Sequence, residues 1–306
     1  MRTNWISSEG KFVKEFEKKF SSFNKRKYGI AVSSGTAALE VAIKSLNLKK
    51  GTEVIIPSFS IISTALCVVK CGLKPILIDC NIETWNVDAE KVINKISNKT
   101  SAIIITHIYG LPVNLSKIIQ KEKQKNIKII EDAAEVIGLK YKNKICGSFG
   151  DLSTFSFYAN KHITTGEGGA VLTDNQLYDE KLKRMRNLDF TKEQRFNHNN
   201  FFWNYRISGL QAALGLSQIK KLEKTIKNKI KQGAYYDDLL SKFENYIRIP
   251  LKELNGSQNH YWVYGIIIKK NNIRDSLMND LFEHGIETRP FFWPLHLQNA
   301  LSDKHK

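Results

Sequence analysis

Between Tyr28 and Thr173, seven short apolar runs alternate with segments that carry helical periodicity. The runs are Tyr28–Val32, Val54–Ile56, Pro75–Asp79, Ala102–His107, Ile127–Glu131, Ser153–Tyr158 and Ala170–Thr173. Most are apolar without interruption, which describes strands covered on both faces rather than strands with a wet side. Four helices are predicted between them, over Thr36–Leu46, Ser63–Lys70, Ala89–Ile96 and Leu115–Lys125. Strand–helix alternation of this kind confines the chain to an α/β fold with a mostly parallel sheet. An amphipathic helix over residues 11–22, with Phe12, Val13, Phe16 and Phe20 on one side, precedes the alternation. Apolar spacing then predicts one long helix from about Ser208 to Phe243, and a smaller α/β unit from near Ile247. The expected division is a large domain over 1–207, a connecting long helix over 208–246 and a small C-terminal domain over 247–306.

At 306 residues, with 42% hydrophobic and 25% charged, the chain has ample material for a core of this type. No apolar run approaches the roughly 20 residues that cross a bilayer. Met1-Arg2-Thr3-Asn4-Trp5 has no apolar leader core, so the expected compartment is the cytoplasm, with no membrane partner. Cys67, Cys71, Cys80 and Cys146 lack paired metal-ligand spacing and read as reduced core thiols, with no metal expected. The net charge of +17 raises nucleic acid as a partner. However, Lys220, Lys221, Lys224, Lys227, Lys229 and Lys231 fall largely on the polar side of a helix whose apolar stripe is Ile219, Leu222, Ile226 and Ile230. No aromatic-interleaved basic patch accompanies them, so nucleic acid is not expected to bind. Attraction of an anionic, phosphate-bearing substrate is the weaker functional reading of the charge.

The chemistry is concentrated where strands end. Ile129-Ile130-Glu131-Asp132 places an aspartate at the carboxyl edge of the sheet, where ligands of α/β proteins bind. Phe155-Ser156-Phe157-Tyr158-Ala159-Asn160-Lys161 brings a lysine out of the next strand, ahead of the turn Thr165-Gly166-Glu167-Gly168-Gly169. A desolvated lysine and a carboxylate at neighbouring strand ends suit pyridoxal phosphate. The amine attaches to the cofactor aldehyde, and the carboxylate keeps the pyridine nitrogen protonated. Ser33-Ser34-Gly35-Thr36 opens a helix after a strand, so free amides, a glycine and a hydroxyl at Gly35 and Thr36 form a phosphate cup. An ordinary helix cap fits the same residues. Ser156 would join the phosphate contacts or pack within the sheet. Glu135 would lie over or beside the cofactor ring, or support the helix that follows it.

Further stretches in the same order include Ser34-Gly35-Thr36-Ala37-Ala38-Leu39, Val54-Ile55-Ile56-Pro57-Ser58 and Glu131-Asp132-Ala133-Ala134-Glu135. Others are Cys146-Gly147-Ser148-Phe149-Gly150-Asp151, Asn204-Tyr205-Arg206 and Glu287-Thr288-Arg289-Pro290. Together with the Lys161 segment, they resemble the fold-type I sugar-nucleotide aminotransferases of the DegT type over nearly the whole chain. The resemblance implies an aspartate-aminotransferase-like large domain with a smaller C-terminal α/β domain. It implies that Lys161 and Asp132 are catalytic and that Gly35, Thr36 and Ser156 hold the phosphate. Asn204 would reach the cofactor phosphate of a second subunit in a homodimer. Arg206, Arg289 and His296 would lie near the substrate.

The implied reaction moves an amino group from glutamate, leaving 2-oxoglutarate, to a 4-keto-6-deoxy sugar on a nucleotide, in surface-polysaccharide or O-antigen biosynthesis. A related branch carries histidine at the lysine position and removes a sugar hydroxyl instead. Here the frame Asn160-Lys161-His162-Ile163-Thr164-Thr165 puts lysine there. Three departures stand out. Ile61 occupies the position of the aromatic ring over the cofactor, with Phe59 two residues earlier as a substitute. The chain begins at Trp5-Ile6-Ser7-Ser8, where the family has a further segment, and stops soon after Pro294-Leu295-His296-Leu297, so the small domain is expected to be incomplete. These departures also admit an inactive or truncated homologue that binds sugar-nucleotide or a partner subunit without turnover.

Overall fold

The structure, a computed structural model, describes residues 5–191 and 195–301, apart from the side chains of residues 123 and 124. The stretch Met1–Asn4, read above for a leader, lies outside them. Helix α1 (Lys11–Phe23) leads into β1 (Tyr28–Val32), α2 (Gly35–Ser45), β2 (Glu53–Pro57), α3 (Ser63–Lys70), β3 (Lys74–Ile78), α4 (Ala89–Lys95), β4 (Thr100–Thr106), α5 (Ser116–Lys125) and β5 (Lys128–Asp132). A short hairpin of β6 (Lys140–Tyr141) and β7 (Lys144–Ile145) follows, then β8 (Leu152–Ser156), β9 (Gly169–Thr173) and α6 (Gln176–Arg186).

Seven strands form one sheet in the order β1-β9-β8-β5-β4-β2-β3. Strands β8, β5, β4, β2 and β3 are parallel, while β9 runs antiparallel to both neighbours. The α/β reading with a mostly parallel sheet is therefore correct. Both faces are covered, as the continuous apolar runs require. On one face Ile103, Ile105 and Ile129 meet α1, α5 and the later helix α7 (Gly209–Ile219). On the other, Ile104, Ile130 and Val54 meet α2 and α3. Phe16 and Phe20 of α1 pack edge-to-face on Phe155 and Phe157, with ring centroids 4.9–5.1 Å apart. Each such buried ring contributes roughly 1.5–3 kcal/mol.

The single long helix expected over Ser208–Phe243 is instead two, α7 and α8 (Leu222–Leu240). At the break the Lys221 amide donates to the Gln218 carbonyl, three residues back, at 2.8 Å. No glycine or proline marks this point, and the apolar stripe runs through it: Leu222 and Ile226 are buried, with Ile219 and Ile230 packed against the same core. Periodicity alone therefore gives no sign of the break. Lys220, Lys221, Lys224, Lys227 and Lys231 are exposed, and Lys229 is half-buried. The remaining chain forms β10 (Ile247–Arg248), β11 (Glu253–Leu254), β12 (Ser257–Gln258), β13 (Ile267–Ile268) and α9 (Arg274–Glu283). Helix α6 and the β6–β7 hairpin were not anticipated. No helix is long and apolar enough to cross a membrane among the described residues.

Candidate active site

Parallel strands share a carboxyl edge, so the ends of β2, β4, β5 and β8 come together. Asp132 closes β5 between Thr106 of β4 and Thr154 of β8, its register partners. It is 4% exposed, and burial pushes its carboxyl above the ordinary range. The edge is braced from behind by Glu131, whose side chain points to the opposite face. Its carboxylate is fully buried and accepts the amides of Gly147 (2.7 Å), Phe149 (2.5 Å) and Gly150 (2.7 Å). His107 Nε2 lies 3.3 Å from Glu131, while the Val113 amide donates to His107 Nδ1, an arrangement that assigns the ring proton to Nε2. Burial works against the Glu131 charge, but the His107 bond and the backbone amides overcome it and hold its pKa below the usual value.

Lys161 leaves the loop after β8, its amide bonded to the Tyr158 carbonyl at 3.0 Å. Its amine is nearly buried. It lies 3.7 Å from Glu135 Oε1 and 3.5 Å from the ring centroid of Trp262. The other carboxylate oxygen of Glu135 accepts the Tyr109 amide at 2.8 Å, which fixes its direction. Burial lowers the Lys161 pKa, against the pull of Glu135 and Asp132, and raises that of Glu135 to about 7. Both groups are thus driven toward their neutral forms. A buried amine that sheds its proton easily is what covalent attachment to an aldehyde needs.

The phosphate cup also forms. Ser34 caps α2, accepting the Ala37 amide through its side chain (3.0 Å) and the Ala38 amide through its carbonyl (3.0 Å). The amides of Gly35 and Thr36, in the first turn, are left without an acceptor among the described residues. Ser156 stands directly across the cup: a Cβ added to Gly35 would come within 2.9 Å of the Ser156 Cβ. Only glycine keeps that cradle open. Thr36 Oγ1 and Ser63 Oγ, 2.8 Å apart, add two hydroxyls at the same rim. Open amides, hydroxyls and a helix N-terminus suit a phosphate, so these residues fit pyridoxal phosphate.

The other expected residues divide in two. Phe59 is packed into an aromatic cluster with Tyr109, Phe291 and Phe292, at ring separations of 5.8–6.1 Å. Ile61 is 42% exposed, ahead of α3. His296 reaches the end of β2, its Nδ1 2.6 Å from Ser58 Oγ. Asn204 and Arg206 lie on a segment that pairs with Asn187 and with Val32 at the end of β1, and Arg289 lies after α9. Asn204 is exposed, and Arg206 donates to Asn187 at 2.9 Å. Arg289 pairs with Glu287 at 3.0 Å in solvent. No hydrogen bond or ion pair joins these three to Lys161 among the described residues.

Sequence reading missed Trp262, Tyr109 in its packing role, Ser63 and the Glu131–His107 brace. Trp262 lies far along the chain with no motif around it. Glu131 did carry a signal, as a charged residue inside an otherwise apolar strand. The cysteines are all free; Cys67 and Cys146 are buried, Cys71 and Cys80 partly so. No cluster of metal-ligating side chains occurs among the described residues.

A mostly parallel α/β sheet whose carboxyl edge presents a buried lysine, an aspartate and an amide phosphate cup defines a pyridoxal-phosphate-dependent enzyme of the aminotransferase fold. Residues 1–306 match the DegT/DnrJ/EryC1/StrS aminotransferase family, and the chain belongs to it, with pyridoxal phosphate as its cofactor. It is 37% identical over 305 residues to the GDP-perosamine synthase of Escherichia coli O157:H7, covering 99% of this chain and 82% of that protein. The GDP-perosamine synthase of Caulobacter vibrioides is 36% identical over 299 residues, covering 97% and 80%. The E. coli GDP-4-keto-6-deoxy-D-mannose-3-dehydratase structure with bound hydrated PLP superposes with a TM-score of 0.90 at 28% identity, covering 99% of this chain and 83% of that one.

Proposed function

We propose that the protein is an aminotransferase that moves an amino group from glutamate to a nucleotide-linked 4-keto-6-deoxy sugar, as a perosamine synthase would. The observation that carries this reading is a lysine, Lys161, at the strand exit, its amine 3.7 Å from Glu135 and covered by Trp262. The similarity to two GDP-perosamine synthases supports a GDP-linked acceptor. When bound, the cofactor draws off the electrons left as a proton leaves the carbon bearing the amino group. The rest of the chemistry belongs to the chain. Lys161 Nζ takes that proton in its neutral form and, in the second half-reaction, delivers a proton to the sugar carbon. Glu135, with a pKa near neutrality, buffers the amine. Asp132 would pair with the pyridine nitrogen and keep it protonated. Gly35, Thr36 and Ser156 hold the phosphate.

Asn204 completes the cup of a second subunit in a homodimer. Arg206, Arg289 and His296 serve the sugar-nucleotide. The division at 207 and 246 separates the cofactor-binding unit from the substrate-closing one, and the enzyme works in the cytoplasm on surface-polysaccharide precursors.

The test is an absorbance spectrum of the protein with pyridoxal phosphate, before and after glutamate, followed by mass analysis of the product from a GDP-linked 4-keto-6-deoxy sugar. The expected result is a visible band that glutamate bleaches, absent in Lys161→Ala, and an aminated sugar. A deoxygenated product without nitrogen would instead identify the dehydratase reaction, to which the 3-dehydratase relative points. No band in the wild type would overturn the catalytic reading.

A further inference from the structure

Trp262 has no part in the chemistry just described, yet its ring lies against the lysine amine. Its ring centroid lies 3.5 Å from Lys161 Nζ, well inside the roughly 6 Å over which an aromatic face attracts a cation. The indole is 7% exposed, and its Nε1 donates to the carbonyl of Asn160, the residue before Lys161, at 3.1 Å. Tyr109 and Phe292 flank it, with ring centroids at 5.8 and 6.3 Å. The ring therefore cannot swing away without breaking a bond to the lysine's own loop.

We propose that Trp262 is a positioning residue for Lys161: its indole face receives the free amine and keeps it aimed at the cofactor site whenever the amine is not covalently engaged. The inference rests on Lys161 being the cofactor lysine. A lysine side chain released during turnover regains the freedom of its four-carbon stem, and re-attachment is slowed unless something confines it. An indole face does so without offering a competing hydrogen-bond acceptor, and Glu135 lies 3.7 Å from the same amine.

The contact has an electrostatic signature that simple packing lacks. An indole face favours the charged amine, so removing it makes Lys161 easier to deprotonate. The charged and titratable groups facing the amine are Glu135 and Asp132 at the end of β5 and His162 on its own loop.

The experiment follows the growth of the visible band when pyridoxal phosphate is added to apoprotein across a pH series, for wild type, Trp262→Phe and Trp262→Leu. The expected result for Trp262→Leu is a midpoint lowered by about 0.5–1 pH unit, so that at a fixed pH below the midpoint the rate is a roughly three- to tenfold larger fraction of a plateau that is itself below that of wild type. That plateau should fall as the amine becomes less well aimed. Trp262→Phe, which keeps a weaker aromatic face, should lie between, and it decides the matter alone should the leucine variant fail to fold. Coincident midpoints for all folded variants would reduce Trp262 to a wall and overturn the inference while leaving Lys161's role intact. A wild type that forms no band would remove both.

Discussion

Glu131 illustrates how one side chain secures an edge. Three backbone amides and His107 all donate to its carboxylate, which has no access to water. A carboxylate accepts at both oxygens. A glutamine amide would turn an NH2 group toward donors that already point inward. Glu131→Gln is therefore expected to cost about 2–4 kcal/mol, read as a lower denaturant midpoint with an unchanged slope. A loss below about 1 kcal/mol would mean that the cluster relaxes around the change. Asp132, the next residue, serves the other face. Neighbouring strand residues point to opposite sides, so one dipeptide supplies both the structural brace and the carboxylate proposed to meet the cofactor. That alternation was legible in the sequence, but the partners of Glu131 were not, because all of them lie on other segments.

At the scale of elements, the first turn of α2 carries the proposed phosphate cup. The cup exists because Gly35 has no Cβ where Ser156 approaches. Gly35→Ala would place a methyl group 2.9 Å from the Ser156 Cβ and push the two apart. The helix itself tolerates alanine well. The expected outcome is a protein destabilised by about 1–3 kcal/mol that still folds and binds pyridoxal phosphate at least tenfold more weakly, measured by titrating apoprotein. Equal affinity would place the phosphate elsewhere. The strand–turn–helix around Gly35 was readable because its apolar run, cap and glycine are contiguous. The break between α7 and α8 was not, since the buried stripe continues across Lys220 and Lys221 without a breaker residue.

For the whole molecule, the C-terminal segment is fastened to the sheet edge at several points. The His260 amide donates to the Gly110 carbonyl at 3.0 Å, Trp262 holds the Lys161 loop, and the Leu295 amide donates to the Ser58 carbonyl at 2.8 Å. Behind this junction His162 and His260 are buried with ring centroids 6.3 Å apart, and burial pushes each down to about 4. The unfolded chain takes up these protons near pH 6.5, and the folded one not until about pH 4. Between those values the unfolded state binds more protons, so this contribution to stability falls as pH falls. Glu135, raised to about 7, works in the opposite direction above its ordinary value of 4.5, so only a variant isolates the histidines. His260→Gln is expected to shrink the difference in unfolding free energy between pH 8 and pH 5 by about 2 kcal/mol, read from denaturant melts at the two pH values. An unchanged difference would show that His260 takes up its proton in the folded state.

The amino-acid sequence by itself determined the α/β alternation, the covered sheet and the strand-end positions of Asp132, Ser156 and the loop to Lys161. Each follows from periodicity and turn chemistry within a few residues. Only the tertiary structure decided that Glu135 and Trp262 enclose the lysine amine, that His107 and three amides converge on Glu131, and that His296 returns to Ser58. Those contacts join segments distant along the chain. Such contacts arise from how the helices and the C-terminal segment pack on the sheet, which no local propensity encodes.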